Sequence, residues 1–374
     1  AEWLNFWKLR ASAAQVGTTL DAYNIYPTYS LDTSYGSHVT MYEPSSQKNY
    51  NIEPSISTSY EIGTEFRLFN NRLWGDFNYY TRDDKDQIIS VTSAPQSGYS
   101  TRKMNAGLIR NRGVELSLGG MPVSTKNWKW EMNFNIAKNS NKLVELADGV
   151  DSYSIYWTSF TTRLYNYAMV GKSLGVITGN TYNQNTLDEL GNFHPDFTGG
   201  FNTSISFKNF RLSANIDFSV GGQIVSYTNM WGSSSGILDK TAELNDRGVN
   251  VREPVSKGGG IHMTGVDQDG NKVDTYVNAK LYYTTASRVW EEWVYDRTYV
   301  KLREVSLSYV FPSQTLKKLN IGLSRVSVAI NASNPWLIYS ACPNVDVSEI
   351  GMGYFEGGNA AATRSIGFTV NLAF

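Results

Sequence analysis

From Ile56 onward the chain alternates apolar and polar residues with a period of two: Ile56, Tyr60, Ile62, Phe66 and Leu68 stand against Ser57, Ser59, Glu61, Glu65 and Arg67. After Asn70-Asn71 the pattern returns, with Leu73, Phe77 and Tyr79 opposed by Trp74, Asp76, Asn78 and Tyr80. Such a pair of runs about a short Asn-rich turn predicts an antiparallel hairpin with one apolar face. The same period recurs at Val114–Leu118, Trp128–Ile136, Phe201–Phe207, Phe210–Val220, Val305–Phe311, Val326–Ile330 and Ile366–Phe374. With a first strand of mixed pattern at Trp3–Ala14, about ten strands are expected.

The connections alternate between very short and very long. Turns are expected at Asn70-Asn71, at Pro122–Asn127, at Lys208-Asn209 and near Lys317-Lys318, and long polar loops at about 21–53, 83–104, 139–198, 227–296 and 334–363. Soluble sandwiches and propellers rarely keep that alternation, whereas bacterial barrels place short turns on the periplasmic side and long loops outside. The final run, with Ile366, Phe368, Val370, Leu372 and Phe374 on one face, reads as the closing strand of an outer-membrane barrel. The predicted class is therefore all-β, an antiparallel transmembrane β-barrel. Here the apolar set meets lipid and the polar set faces the lumen.

Composition sharpens this. Of 374 residues 41% are hydrophobic and only 18% charged, with 24 Tyr, 16 Phe and 10 Trp, yet no stretch is continuously apolar for the ~18 residues a membrane helix needs. The formal charge of −1 gives no footprint for nucleic acid, and the single Cys342 excludes a disulfide framework and a cysteine-ligated metal. The chain opens directly in strand-like sequence, and a piece of a longer polypeptide is expected.

Catalysis finds little support. His38, His194 and His262 fall in separate predicted loops without a nucleophile motif, so no enzyme activity, cofactor or metal is expected. Asp267-Gln268-Asp269-Gly270-Asn271 spaces oxygen ligands as calcium loops do, but its glycine comes early and the bidentate glutamate is missing; a hairpin turn is the better reading. Gly258-Gly259-Gly260 lacks the lysine and context of a phosphate loop and reads as linker.

Several segments together resemble the SusC-like subgroup of TonB-dependent outer-membrane transporters. Asn111-Arg112-Gly113-Val114-Glu115 matches a strand start found broadly in that superfamily. More specific is Leu302–Pro312 (LREVSLSYVFP), followed at family spacing by Asn331 and Asn334-Pro335. Asp217 with Gly221-Gly222, Pro195-Asp196 with Gly199-Gly200, and Arg364–Phe374 are similar to family signatures in family order. Cys342-Pro343-Asn344 departs from the pattern, since the subgroup more often has an aspartate before the proline.

The resemblance implies a barrel of roughly 22 strands with a plugged lumen, of which this chain would supply the C-terminal ten. It also implies a SusD-like surface lipoprotein as lid, the TonB-ExbB-ExbD complex acting through an N-terminal part outside this sequence, and an oligosaccharide or peptide as cargo. The other expected partners are the remaining strands and plug, membrane lipid and lipopolysaccharide. Glu115, Glu131, Arg211 and Asp217 share the polar parity of their strands and are candidates to line the lumen or to pair with one another and the plug. The loop aromatics Trp157, Tyr227, Trp231, Trp290 and Trp293 are candidate stacking platforms for cargo, set against ordinary burial in loop packing. The alternatives are a passive porin and a soluble all-β carbohydrate-binding module.

Overall fold

The computed structural model describes all residues except 1, 2, 19, 21–24, 37, 158–162, 183–186, 268, 320, 321, 351, 352 and 361. Ten strands form one antiparallel sheet in which each neighbour in sequence is the neighbour in space. They are β1 (Leu4–Thr18), β2 (Ser55–Leu68), β3 (Leu73–Lys85), β4 (Leu108–Ser124), β5 (Trp128–Glu145), β6 (Phe197–Phe207), β7 (Phe210–Val220), β8 (Tyr299–Val310), β9 (Arg325–Ser340) and β10 (Ser365–Ala373).

The register follows the parity of the sequence. Phe134 lies across from Leu118 on one side and Phe201 on the other, and its ring stacks on Phe218 at 6.0 Å between centroids. Farther along, Leu212, Leu307, Ile330 and Phe368 form one cross-strand row on the same face. Among the described residues this row stays open: Leu212 is 45% exposed, Ile330 54% and Phe368 68%. The buried apolar clusters lie instead in the long loops. An apolar sheet face without a protein partner fits a face that lipid covers. Asn133→Arg is therefore expected to insert normally, whereas Phe134→Arg loses ~2–4 kcal/mol near the bilayer midplane. Heat-modifiable mobility and protease resistance of the inserted protein measure this, and equal tolerance of both changes would contradict a lipid-facing assignment.

At one end the connections are tight. Phe69, Asn70 and Asn71 all take left-handed backbone angles (φ 54°, 57° and 61°), which asparagine tolerates well, and Lys208 (φ 52°) turns the β6–β7 hairpin. The β8–β9 connection holds a short helix, Ser313–Leu319, where only a turn near Lys317-Lys318 was expected; it buries Leu316. At the other end the strands outrun the expected loop boundaries, β5 to Glu145 and β9 to Ser340, and the loops carry their own sheets and helices. Asp267–Asn271 closes the hairpin between Ile261–Val266 and Lys272–Val277, with the Asp267 carboxylate accepting from the backbone N–H of Asp269 and Asn271, as the turn reading requires. Among the described residues β1 bonds only β2 and β10 only β9, so both edges of the sheet are open.

Candidate functional site

The polar face is knitted together by charge. Arg10 on β1 reaches across β2 to Asp76 on β3 with two hydrogen bonds of 2.7 and 2.9 Å. It can do so because residue 63 between them is glycine: a Cβ there would come within 2.9 Å of the guanidinium. Gly113, in the Asn-Arg-Gly-Val-Glu segment, plays a similar part. The Tyr80 ring lies directly over it, 2.4 Å from where a Cβ would be, and its hydroxyl donates to Asn139 at 3.1 Å. Mid-sheet, Glu131, Asn133, Asn202, Ser204, Arg211 and Glu304 surround a depression of about 310 Å³.

Toward the long-loop end of β8, Lys301 is 1% exposed and donates to Asp346 (2.6 Å), Glu349 (2.7 Å) and Ser348 (3.0 Å). Arg303 holds Asp217 through two hydrogen bonds of 2.8 and 3.0 Å and also bonds Glu349. The ammonium of Lys301, and then the Arg303 guanidinium, hold the Glu349 carboxyl down at about 2. These bonds fasten the segment after β9 to the inner face of the sheet.

A second bolt joins two loops. Glu356, 2% exposed, accepts from the backbone N–H (3.0 Å) and hydroxyl (2.8 Å) of Thr228 and from the Ser226 hydroxyl, at the N-terminus of the helix Tyr227–Ser234. A carboxylate suits that end of a helix. Asn229 donates to the Pro343 carbonyl at 2.8 Å, and Asn344 donates to Asn229 at 2.9 Å. Cys342, where the family pattern is broken, is 1% exposed beside Ile224, Val347 and Ile350, and burial pushes its thiol up to about 12. It is packing, not reactive chemistry.

Between the loops lies a cleft of about 700 Å³, large enough for a ligand of several residues. Phe193, His194, Ile155, Tyr354 and Phe355 line it together with Asn359 and with Asn141, which stands on the polar face of β5. The cleft thus opens at the mouth of the sheet, on the face away from lipid. Burial, and then the positive charge of Arg297, push the His194 imidazole below its ordinary value, so it is neutral at physiological pH.

Comparison with known proteins then places the chain. Residues 1–217 match the family model described as TonB dependent receptor-like, beta-barrel. The chain belongs to that family. Its similarity to curated members is moderate: 26% identity over 335 residues to TonB-dependent receptor P3 of Formosa agariphila, covering 80% of this chain and 31% of that protein. To TonB-dependent receptor SusC of Bacteroides thetaiotaomicron it is 28% identical over 138 residues, 35% of this chain and 14% of that one. The chain therefore spans well under half the length of these relatives. In fold it is similar to the RagAB peptide importer in its closed-closed state, with a TM-score of 0.74 at 18% identity over 100% of this chain and 41% of that one. Members of this receptor family sit in the outer membrane, and among the described residues no helix is long and apolar enough to cross one.

The four polar candidates all lie on the polar face of the sheet. Asp217 is bound by Arg303 and Tyr299, Glu131 pairs with Lys129 at 2.9 Å, Arg211 donates to Ser204 at 3.3 Å, and Glu115 is exposed opposite Asn78. The loop aromatics divide. Tyr227 (1% exposed), Trp290 (6%) and Trp293 (0%) are covered by the loops' own side chains, while Trp231 keeps an open face at 47% beside the Tyr227 ring. Trp157 ends the strand Ser152–Trp157, and its side chain lies outside the described residues. Sequence reasoning passed over Lys301, Glu356 and the cleft. The only signal was the Leu302–Pro312 motif, whose Arg303 stands beside Lys301.

One exposed cluster in the longest loop is centred on His262. The two ring nitrogens of His262 face Asp246 (2.7 Å) and Asp274 (2.8 Å), the ring stacks on Tyr276 at 4.5 Å, and the Arg247 guanidinium lies on that tyrosine's ring at 3.4 Å. Both nitrogens can donate only in the imidazolium, and the hydrogen bond to Asp274, followed by Asp246, raises the His262 value. A raised value means the contact is fully present below the ordinary histidine range and is lost as pH climbs through the raised one. Backbone exchange in the 261–277 hairpin should accordingly be slower at about pH 5.5 than at about pH 8. His262→Gln should abolish the difference, and a pH-independent wild-type hairpin would contradict the linkage.

Proposed function

We propose that this chain forms the C-terminal ten strands of a TonB-dependent importer for a large nutrient, an oligosaccharide or a peptide, working with a SusD-like surface lipoprotein. The observation that carries the reading is the cleft of about 700 Å³ at the mouth of the lumen, walled by Phe193, Tyr354 and Phe355 and held in shape by the Glu356 and Lys301 networks. Aromatic rings with amide groups beside them suit both sugar rings and peptide side chains. Trp231, with one open face nearby in sequence and packing, adds a candidate platform. The likeness of the fold to a peptide importer supports the peptide side. Hydrocarbon leaves no partner for the open edges of β1 and β10, so on this reading strands outside this sequence complete the barrel around a plug.

The test is uptake by cells carrying the intact transporter, offered a panel of labelled oligosaccharides and oligopeptides, with and without a functional TonB. The expected result is TonB-dependent uptake of one class, co-purification of a surface lipoprotein, and loss of uptake when Asn359→Trp fills the cleft. Uptake that persists unchanged without TonB would replace this reading with a passive pore.

A further inference from the structure

The tight-turn end of the sheet has an unusual charge. Its four connections, residues 69–72, 125–127, 208–209 and 311–324, carry Arg72, Lys126, Lys208, Lys317 and Lys318 and not one Asp or Glu. Just inside them the lipid-facing surface bears a band of rings: Trp128 lies 4.3 Å from Phe207, Phe210 lies 4.6 Å from Tyr309, and Tyr309 lies 5.1 Å from Phe311. Aromatic bands mark the level where hydrocarbon meets headgroups. Lys208 sits with its ammonium 5.3 Å from the centre of the Phe207 ring, a cation held at that boundary. The basic turns therefore stand at the headgroup level of the periplasmic leaflet.

One place on this rim is concave. On the lipid-facing side, Leu73, Leu118, Met132, Phe134 and Phe201 enclose a groove of about 490 Å³, and Arg72 stands at its turn end. The groove exists because residue 120, flanked in register by Leu73 and Met132, is glycine. A Cβ there would meet nothing nearer than 3.4 Å, so the space is open rather than occupied by a neighbour. Arg72 forms no ion pair among the described residues, whereas Arg67, two residues before the same turn, is neutralised by Glu65 at 3.2 Å. Arg72 is among the residues lining this groove, whereas the hollow on the opposite, polar side of the hairpin is lined by Asn71 and not by Arg72.

We propose that this groove is a seat for one glycerophospholipid of the periplasmic leaflet, with an acyl chain lying over Gly120 and the phosphate at Arg72. An apolar trough of this size matches a chain, and an arginine without a carboxylate partner matches a phosphodiester, to which its planar fork can donate two hydrogen bonds. Lys126 and Lys208 on the neighbouring turns add attraction for an anionic headgroup such as phosphatidylglycerol. The proposal is one specific seat, set where this trough and Arg72 adjoin, within an otherwise general lipid belt.

The experiment uses the intact transporter in lipid nanodiscs containing a phosphatidylglycerol with a photoactivatable acyl chain, and maps the crosslinks by peptide mass spectrometry. Labelling should concentrate on the 118–134 hairpin. Arg72→Gln should lower it roughly fivefold, the effect of one basic residue at an anionic surface. Gly120→Leu, which fills the trough without a backbone clash, should abolish it while heat-modifiable mobility stays that of the wild type. Unlabelled phosphatidylglycerol should compete, and polyglutamate, which shares the charge but not the chain, should not. Labelling that is spread evenly around the barrel, unchanged in both variants, or displaced by polyglutamate would overturn the seat; the last result would reassign the basic rim to an acidic periplasmic polymer.

Discussion

Trp293→Ala is expected to unfold the loop cap while the sheet stays inserted, at a cost of about 3–5 kcal/mol for a fully buried indole. Trp293 is 0% exposed, in a cluster with Leu164, Ile177, Tyr227, Met230, Trp290 and Tyr354 drawn from three separate loops, and its indole N–H donates to the Ala286 carbonyl at 2.9 Å. The Lys240 ammonium lies 4.3 Å from its ring centre, so truncation also removes a cation–π contact. No other ring fills that volume, and the surrounding loops lose the point on which they converge. Limited proteolysis of the inserted protein measures this: cleavage within 227–296 should rise sharply while the strands remain protected. Trp231→Ala is the control, since its half-exposed ring holds little of the cap together. Unchanged protease resistance in Trp293→Ala would show that the strands alone hold the loops.

The second large effect is expected at Lys301. Lys301→Met keeps the length of the side chain but leaves Asp346 and Glu349 without the ammonium that both of them bind. Removing one partner of a buried pair costs about 3–5 kcal/mol, and the lower end applies because both carboxylates keep some contact with water. Arg303 still reaches Glu349, which limits the loss further. The pH dependence carries the sharper signature. Glu349 is held at about 2 against an ordinary 4.5, so its contribution is complete above the ordinary value and disappears as pH falls toward the depressed one. In the wild type the segment after β9 should therefore loosen only in strong acid. In Lys301→Met it should loosen at mildly acidic pH. Protease accessibility of residues 341–363 across an acid titration reads both, and superimposable curves would remove Lys301 from the latch.

These two sites mark the division between what sequence disclosed and what folding added. Strand number, facing and the order of short and long connections were all legible, because a membrane sheet allows only one pattern. Each strand must alternate lipid and lumen, and a slip of one residue would turn every Phe134 toward water and every Asn133 toward hydrocarbon. That Glu131, Arg211 and Asp217 share one polar face followed from that parity alone.

The loops obey no such period, and there the sequence by itself could not choose between an exposed ring and a buried one. Trp231 and Trp293 have the same chemistry. One keeps an open face and the other is enclosed in a cluster where Leu164, Ile177 and Tyr354 come together from distant parts of the chain. Lys301 sits at a strand position where a lumenal cation would ordinarily be solvated, and only the return of Asp346–Glu349 over the sheet buries it. Periodicity imposed by lipid is a local property and can be read from neighbouring residues. Burial in a loop cap is decided by which distant segments meet, and that was settled only when the chain folded.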